Sequence, residues 1–260
     1  MTHKEISVEL RGDQQQVAVI RIMRPAKRNA LNDGLILGLR DTLEALPDSV
    51  RAAVIDGDGP HFCAGLDLSE LTERDAAQGV HHSRMWHKAL EQVQYGKVPV
   101  IAALHGAVVG GGLELASACH IRVADSSTFF ALPEGSRGIF VGGGGAVRIP
   151  RLIGAARMAD MMFTGRVYKA EEGERIGLAQ YLVPEGTALE KSVELALRIA
   201  DNAPMTNYAL MHALPRISEQ PADQGLMTEA LMAAIAQSAP EAKFRLQEFL
   251  EGRAAKVSAN

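Results

Sequence analysis

The chain has 260 residues, enough for one large domain or for a main domain with an appendage, and its 47% hydrophobic and 22% charged residues are typical of a globular protein. The formal net charge of −4 gives no reason to expect nucleic acid or an anionic membrane surface as a partner. The only two cysteines, Cys63 and Cys119, argue against a disulfide scaffold and favour a reducing compartment.

Strand-like and helix-like segments alternate along the first two thirds of the chain. Residues 15–23 have strand composition, the leucines of residues 31–46 have helical spacing, and residues 51–59 read as a strand that enters a turn. Residues 98–106 and 120–131 predict two further strands with a glycine-led helix between them. This alternation indicates an α/β fold.

The pattern changes near residue 190, where three helical stretches separated by prolines and glycines follow one another. We therefore predict two parts, a core at residues 1–200 and a helical region at residues 201–260. The N-terminus lacks a basic segment followed by an apolar run, and no apolar stretch approaches the roughly 20 residues that span a bilayer. A cytoplasmic protein is the expectation.

The stretch HGAVVGGGLELASACH, residues 105–120, places three glycines before a helical segment that carries Glu114. Glycines there let a ligand approach the backbone, and the first amides of a helix attract negative charge. Such amides can bind a phosphate or an oxygen that becomes negative during a reaction. The sequence contains neither GxxxxGK[ST] nor a GxGxxG in the right setting, which weakens the nucleotide-binding interpretations, whereas close helix packing remains an alternative.

Two further stretches add to this pattern. In HFCAGLDLSEL, residues 61–71, small residues form a turn after a predicted strand, and FFALPEGSRGIFVGGGGAVRIPRLIG, residues 129–154, supplies a second acid, Glu134. Together with RPAKRNALN at residues 24–32 and TGRVYKAEEGERIGLAQYLVP at residues 164–184, these motifs resemble the enoyl-CoA hydratase/isomerase superfamily, the crotonases. The resemblance runs nearly the full length of the chain.

The resemblance implies a crotonase-like spiral of β-β-α units followed by a C-terminal helical trimerisation region, in a homotrimer or a homohexamer. It also implies an oxyanion hole for a thioester carbonyl, made by the backbone N–H groups of Ala64 and Gly111. Glu114 and Glu134 match the two catalytic carboxylates, one of which activates water while the other transfers the proton at the α-carbon. Paired carboxylates suit this task because a shared site can raise one pKa.

The expected substrate is an acyl-CoA thioester, and no separate cofactor or metal is implied, since coenzyme A is part of the substrate. Six residues match positions around coenzyme A in the family: Ala26, Lys27, Arg28, Ala64, Leu66 and Phe249. A solvated basic turn is the alternative for Lys27 and Arg28. Where the family has a lysine after the phenylalanine this chain has Gly252, and Val141 stands where a proline is common, next to four glycines at residues 142–145.

Hydration of a 2-enoyl-CoA is the predicted activity because both acids are present. The alternatives within the superfamily are an enoyl-CoA isomerase, a hydratase-lyase acting on aromatic acyl-CoA and a C–C hydrolase. A crotonase-fold protein that binds RNA is the alternative from another class, and the negative net charge argues against it. His81, His82 and His87 lie on the segment that lines the acyl tunnel in relatives, but their spacing does not favour a metal site.

Overall fold

The computed structural model describes residues 4–70 and 72–253. The strands within these ranges are β1 Ile6–Arg11, β2 Val17–Ile22, β3 Ala52–Gly57, β4 Val100–Leu104, β5 Ala107–Val109, β6 Ile121–Asp125, β7 Phe129–Ala131, β8 Tyr168–Lys169 and β9 Tyr181–Val183. The α-helices are α1 Asp33–Glu44, α2 Ala76–Tyr95, α3 Gly111–Ala118, α4 Gly145–Ile153, α5 Ala155–Thr164, α6 Ala170–Ile176, α7 Ala188–Ala200, α8 Pro204–Tyr208, α9 Leu214–Ile217, α10 Ala222–Ser238 and α11 Pro240–Leu250.

The strands form two sheets whose order follows a repeated strand–strand–helix unit. A six-stranded sheet has the order β1-β2-β3-β4-β6-β9, in which β1 is antiparallel to β2 and the remaining pairs are parallel. A three-stranded sheet has the order β5-β7-β8. The units β4-β5-α3 and β6-β7-α4 stack, because β4 pairs with β6 in one sheet and β5 pairs with β7 in the other. The chain therefore winds as a spiral of β-β-α units.

The large sheet is covered on both faces. Along β2, Val17 and Val19 belong to a buried cluster with Leu195 and Ala196 of α7, while Ile20 and Ile22 belong to the cluster that contains the buried leucines of α1. Alternate residues of a strand point to opposite faces, so this division follows from the strand period of two. Because both faces of these strands are buried, their sequences are nearly continuous apolar runs.

Two sequence-based boundaries were wrong. The segment 120–131, predicted as one strand, is the pair β6 and β7, because the N–H and hydroxyl of Ser127 donate to Asp125 Oδ1 at 2.9 and 2.6 Å and close a turn between them. A short strand, β5, also stands between the strand predicted at 98–106 and the glycine-led helix. Local side-chain to backbone bonds of this kind compete with strand pairing.

The chain divides into two compact units, residues 1–200 and 201–260. The second unit contains α8 to α11 and one π-helical turn at Ala209–Ala213. In α10 the side chains of Leu226, Met227 and Leu231 are 66%, 64% and 59% exposed in the single chain. An apolar stripe this open is typical of a surface that associates with other protein.

Candidate active site

A cavity of about 310 Å³ lies in the first unit. Its lining includes Leu66, Gly111, Glu114 and Glu134, together with the face of α2 that carries Gly79, His82, Ser83 and Trp86. Residues 139–143 also line the cavity, as does Arg74, which stands just before α2 begins. The two predicted acids therefore face one cavity together with the middle glycine.

The three glycines at residues 110–112 have three different roles. Gly110 has φ +53°, and a Cβ there would lie 2.6 Å from Glu134 Oε1, so only glycine lets this carboxylate come close. At Gly112 a Cβ would lie 2.4 Å from the carbonyl O of Cys63, which is a packing constraint. Gly111 has more room, and its hypothetical Cβ would lie 3.5 Å from the Leu66 backbone N. Gly112 is therefore required for close packing, whereas its neighbour Gly111 leaves room for a ligand.

The prediction that Ala64 supplies an oxyanion-hole N–H was wrong, because that N–H donates to the carbonyl O of Arg28 at 3.0 Å. The chain then turns at Gly65, whose φ of +99° and close approach to the Val109 carbonyl place the next amide beside Gly111. Neither the Leu66 N–H nor the Gly111 N–H donates to any residue within 4–70 and 72–253. These two N–H groups, both at the cavity, are therefore the pair open to a ligand oxygen.

Glu114 is held by the second glycine run. Its side chain is 4% exposed, and its Oε1 accepts hydrogen bonds from the N–H groups of Gly143 and Gly145, both at 2.8 Å. Burial raises the pKa of Glu114, and the donation from Gly145 and Gly143 opposes that rise. The N–H groups of Gly143 and Gly145 thus fix the carboxylate at the cavity, and a side chain at Gly145 would crowd it, because a Cβ there would lie 2.8 Å from Glu114 Cγ.

Glu134 has a different environment. It is 7% exposed, and its buried Oε2 has no hydrogen-bond partner among the described residues. Burial raises the pKa of Glu134, and the nearby negative charge of Glu114 raises it further, while Arg137 acts in the opposite direction. A carboxyl group with a raised pKa and an unpartnered oxygen is suited to carry a proton and transfer it to a ligand.

This environment predicts a pH-dependent gain in stability for Glu134→Gln. A carboxyl group whose pKa is raised on folding binds more protons in the folded state, so its contribution to the unfolding free energy falls as the pH rises above the ordinary value of 4.5. We expect the Tm of Glu134→Gln to exceed that of the wild type near neutral pH, and the difference to shrink as the pH falls towards 4.5. Calorimetry across this range checks it, with the exposed Glu185→Gln as the control. An equal difference at every pH would contradict the assignment.

The structure brings most of the predicted coenzyme A residues together. Ala26 and Lys27 lie in a 3-10 turn at Pro25–Lys27, and Arg28 follows with φ +52°. All three are exposed, and the Arg28 carbonyl joins this turn to Ala64. The Lys27 ammonium donates to Ser69 Oγ at 2.9 Å and lies 3.6 Å from Asp67 Oδ2, next to Leu66 in sequence.

The sixth predicted coenzyme A residue is in the other unit. Phe249 lies in α11, and its side chain is 59% exposed there. Gly252, at the position of the expected lysine, has φ +73°, and the following Arg253 pairs with Glu248 at 2.6 Å. The guanidinium is therefore already engaged within its own unit.

Sequence reasoning missed the polar cluster on the α2 side of the cavity. Asp33 Oδ1 accepts from His82 Nε2 at 2.6 Å and from Trp86 Nε1 at 2.9 Å, and Arg74 Nη2 lies 3.7 Å from Asp33 Oδ2. Burial alone would raise the pKa of Asp33, but the hydrogen bonds from Trp86 and His82 lower it. The spacing of Gly79, His82, Ser83 and Trp86 along one helical face was the available signal.

The described part of the chain contains neither a candidate metal cluster nor a candidate membrane-spanning helix. No group of three His, Cys, Asp or Glu side chains in residues 4–70 and 72–253 could hold a metal ion. No helix in these same ranges combines the length and the apolar character needed to cross a bilayer. Both cysteines are buried, and burial raises the pKa of the Cys63 thiol to about 12, which keeps it from acting as a thiolate nucleophile.

Comparison with known proteins decides the family. The family model of enoyl-CoA hydratase/isomerase matches residues 12–259. The chain belongs to this family. A 2,3-dehydroadipyl-CoA hydratase of Escherichia coli strain K12 is 32% identical over 92% of this chain and 94% of its own length. A short-chain-enoyl-CoA hydratase of Clostridium acetobutylicum is 32% identical over 92% of each chain.

Solved structures give the fold of this family member directly. A provisionally described enoyl-CoA hydratase from Rhodopseudomonas palustris CGA009 is 58% identical, covers 97% of both chains and superimposes with a TM-score of 0.92. The enoyl-CoA hydratase of Bacillus anthracis is 31% identical over 99% of this chain and all of its own, with a TM-score of 0.89. The spiral of β-β-α units is therefore the crotonase fold, which confirms the α/β crotonase class predicted from the sequence. The chain is an acyl-CoA enzyme of the crotonase type.

Proposed function

We propose that this protein hydrates a 2-enoyl-CoA. The observation that carries the proposal is the unlike pair of buried acids at one cavity, in which Glu114 is fixed by two amide donors and Glu134 has an unpartnered oxygen. Family membership and the hydratase names of several relatives support the same reaction. An isomerase needs only one carboxyl group to move a proton between carbons, whereas hydration uses one group for water and another for carbon.

The proposed mechanism begins with the thioester oxygen at the N–H groups of Leu66 and Gly111. Glu114 takes a proton from a water molecule as the water oxygen bonds to C3. The electron pair of the C2–C3 double bond moves into an enolate, whose negative oxygen the two amides stabilise. Glu134, in its protonated form, then transfers its proton to C2. Each such amide donor typically contributes about 10²–10³ in rate.

The remaining assignments are part of the same proposal. The turn at Ala26, Lys27 and Arg28 would meet coenzyme A, and the exposed Phe249 would meet the coenzyme A bound by a neighbouring copy. We place these contacts in a homotrimer or a homohexamer, because the apolar side chains of α10 are open to solvent in a single chain. Binding energy from the nucleotide, remote from the reacting carbons, would then support the chemistry.

Incubation of 2-butenoyl-CoA with the protein in ¹⁸O-labelled water tests the proposal. We expect the conjugated absorbance to fall and the product thioester to gain the mass of one labelled water. Parallel incubation of 3-butenoyl-CoA separates the alternative, because an isomerase gives 2-butenoyl-CoA with no gain in mass. Conversion of the 3-enoyl substrate without hydration of the 2-enoyl substrate would refute hydration and establish isomerisation.

A further inference from the structure

Arg74 is a cation that lines the cavity without a hydrogen-bond acceptor of its own. Its side chain is only 25% exposed, and none of the residues in 4–70 and 72–253 accepts a hydrogen bond from its guanidinium. The nearest carboxylate oxygen, Asp33 Oδ2, lies 3.7 Å from Nη2, beyond hydrogen-bond distance. A guanidinium has five N–H donors in a planar fork that matches a carboxylate, so a largely buried one without an acceptor points to a ligand.

Asp33 is the ion-pair partner of Arg74 at 3.7 Å, but it accepts no hydrogen bond from the guanidinium, whose N–H donors stay open to the cavity. Asp33 Oδ1 already accepts from His82 and Trp86, which fixes the Asp33 carboxylate against α2. The carboxylate of Asp75, the next residue along, accepts from the Gln78 N–H at 2.8 Å and caps α2. Asp33 Oδ1 and the Asp75 carboxylate are therefore engaged in holding α2 and its side chains, and Asp33 Oδ2 contributes only an ion pair to Arg74.

Arg74 belongs to the segment that precedes α2, and its side chain lines the same cavity as the two acids. Ser83 of α2 lies close to the second glycine run, because a Cβ on Gly142 would lie 3.1 Å from Ser83 Oγ, and the next glycine of that run, Gly143, is close to Glu114. Gly79, one turn earlier and about 6 Å away along the helix axis, also lines the cavity, and Arg74 precedes the helix. Trp86 and Phe140 also line the cavity and give it an apolar surface that suits methylene groups.

We propose that Arg74 binds a carboxylate at the far end of the acyl chain, so that the substrate is a short 2-enoyl-CoA with a terminal carboxylate. This inference rests on the proposed function, since the acyl group is placed by the oxyanion hole and the two acids. The cavity volume of about 310 Å³ is at the lower end of the range for small-molecule sites, which favours a short chain. His82, held by Asp33, lines the same cavity as Arg74.

The test compares two substrates of equal length, 2-hexenoyl-CoA and 2-hexenedioyl-CoA, which share coenzyme A and differ only at the chain end. We expect the wild type to have the higher kcat/KM on the dicarboxylic thioester. Arg74→Gln should lower that value by roughly 10- to 100-fold and leave the value for 2-hexenoyl-CoA nearly unchanged. Arg74→Lys should recover part of the loss because it keeps the charge. The exposed Arg84→Gln in α2 is the matched control and should change neither value.

Two results would overturn the proposal. If the wild type has the higher kcat/KM on 2-hexenoyl-CoA, the cavity has no carboxylate site. If Arg74→Gln lowers kcat/KM equally on both substrates, Arg74 acts on coenzyme A or on the fold instead. Calorimetry with the saturated thioesters hexanoyl-CoA and adipoyl-CoA separates this inference from the reaction. If no enoyl-CoA is hydrated, weaker binding of adipoyl-CoA alone in Arg74→Gln still supports the carboxylate site, and equal binding of both thioesters by the wild type refutes it.

Discussion

Replacing Glu134 by glutamine is expected to lower kcat on a short 2-enoyl-CoA by roughly 10²–10⁴-fold. Glutamine keeps the size and the hydrogen-bonding atoms of the side chain but has no proton to transfer to C2. The cavity walls do not change, so the Kd of a saturated acyl-CoA should stay close to that of the wild type. A loss in kcat with little change in binding is the signature of an interaction made only in the transition state.

Stopped-flow absorbance at saturating thioester measures the effect, and calorimetry with hexanoyl-CoA measures binding. The same variant should also fail to isomerise a 3-enoyl-CoA, because proton transfer at C2 is common to both reactions. Activity equal to the wild type on every enoyl-CoA tested would remove Glu134 from the mechanism. A variant that binds no thioester at all would instead assign Glu134 a role in shaping the cavity, and the calorimetric arm detects this.

The parts of the site that the sequence predicted are those carried by local motifs. Glu114 and Glu134 each stand in a short motif, and the structure brings both to the same cavity as Gly111. The helix beginning near the glycines was also predictable, since the first turn of α3 carries an acid and has no proline. Such motifs depend on nearby residues, which is why a single sequence is sufficient to find them.

The errors came from contacts between distant segments. The choice between Ala64 and Leu66 as an N–H donor depends on whether the Arg28 carbonyl takes the Ala64 amide, and Arg28 is 36 residues away in a turn with positive φ. Nothing in the sequence of residues 61–71 indicates the hydrogen bond between Ala64 and Arg28. Gly65 alone separates Ala64 from Leu66. The hydrogen bond from Ala64 to the distant Arg28 carbonyl therefore decides that the Leu66 N–H is the one open to a ligand.

Long-range contacts also explain why the role of the second glycine run was not foreseen. The sequence shows four glycines at residues 142–145 as a departure from the family pattern, but not that the amides of Gly143 and Gly145 donate to Glu114, which is 29 and 31 residues away. The polar cluster at Asp33 is similar, since its bond with Trp86 spans 53 residues. Glycine runs and isolated acids have many possible partners, and only the folded chain selects among them.

Changing Glu114 or its glycine support is expected to separate hydration from isomerisation. In Glu114→Gln the amide oxygen can still accept from Gly143 and Gly145, so the side chain stays in place while the base for water is lost. We expect kcat for hydration to fall by roughly 10²–10⁴-fold, with isomerisation of a 3-enoyl-CoA largely retained because Glu134 still carries its proton. Equal loss of both reactions would show that Glu114 has no specific role in activating water.

Alanine at the supporting glycines should give a graded version of the same loss, because it displaces the carboxylate without removing it. A Cβ on Gly145 would lie 2.8 Å from Glu114 Cγ, whereas one on Gly143 would lie 3.3 Å from Glu114 Cδ. The side chain must therefore move further in Gly145→Ala than in Gly143→Ala, and a misplacement of about 1 Å can cost on the order of 100-fold in rate. We expect hydration to fall in the order Gly145→Ala more than Gly143→Ala, with isomerisation changed less in both. Measuring both reactions for the two variants, with Tm as the check on folding, tests whether the glycines act through Glu114, and the reverse order would rule that out.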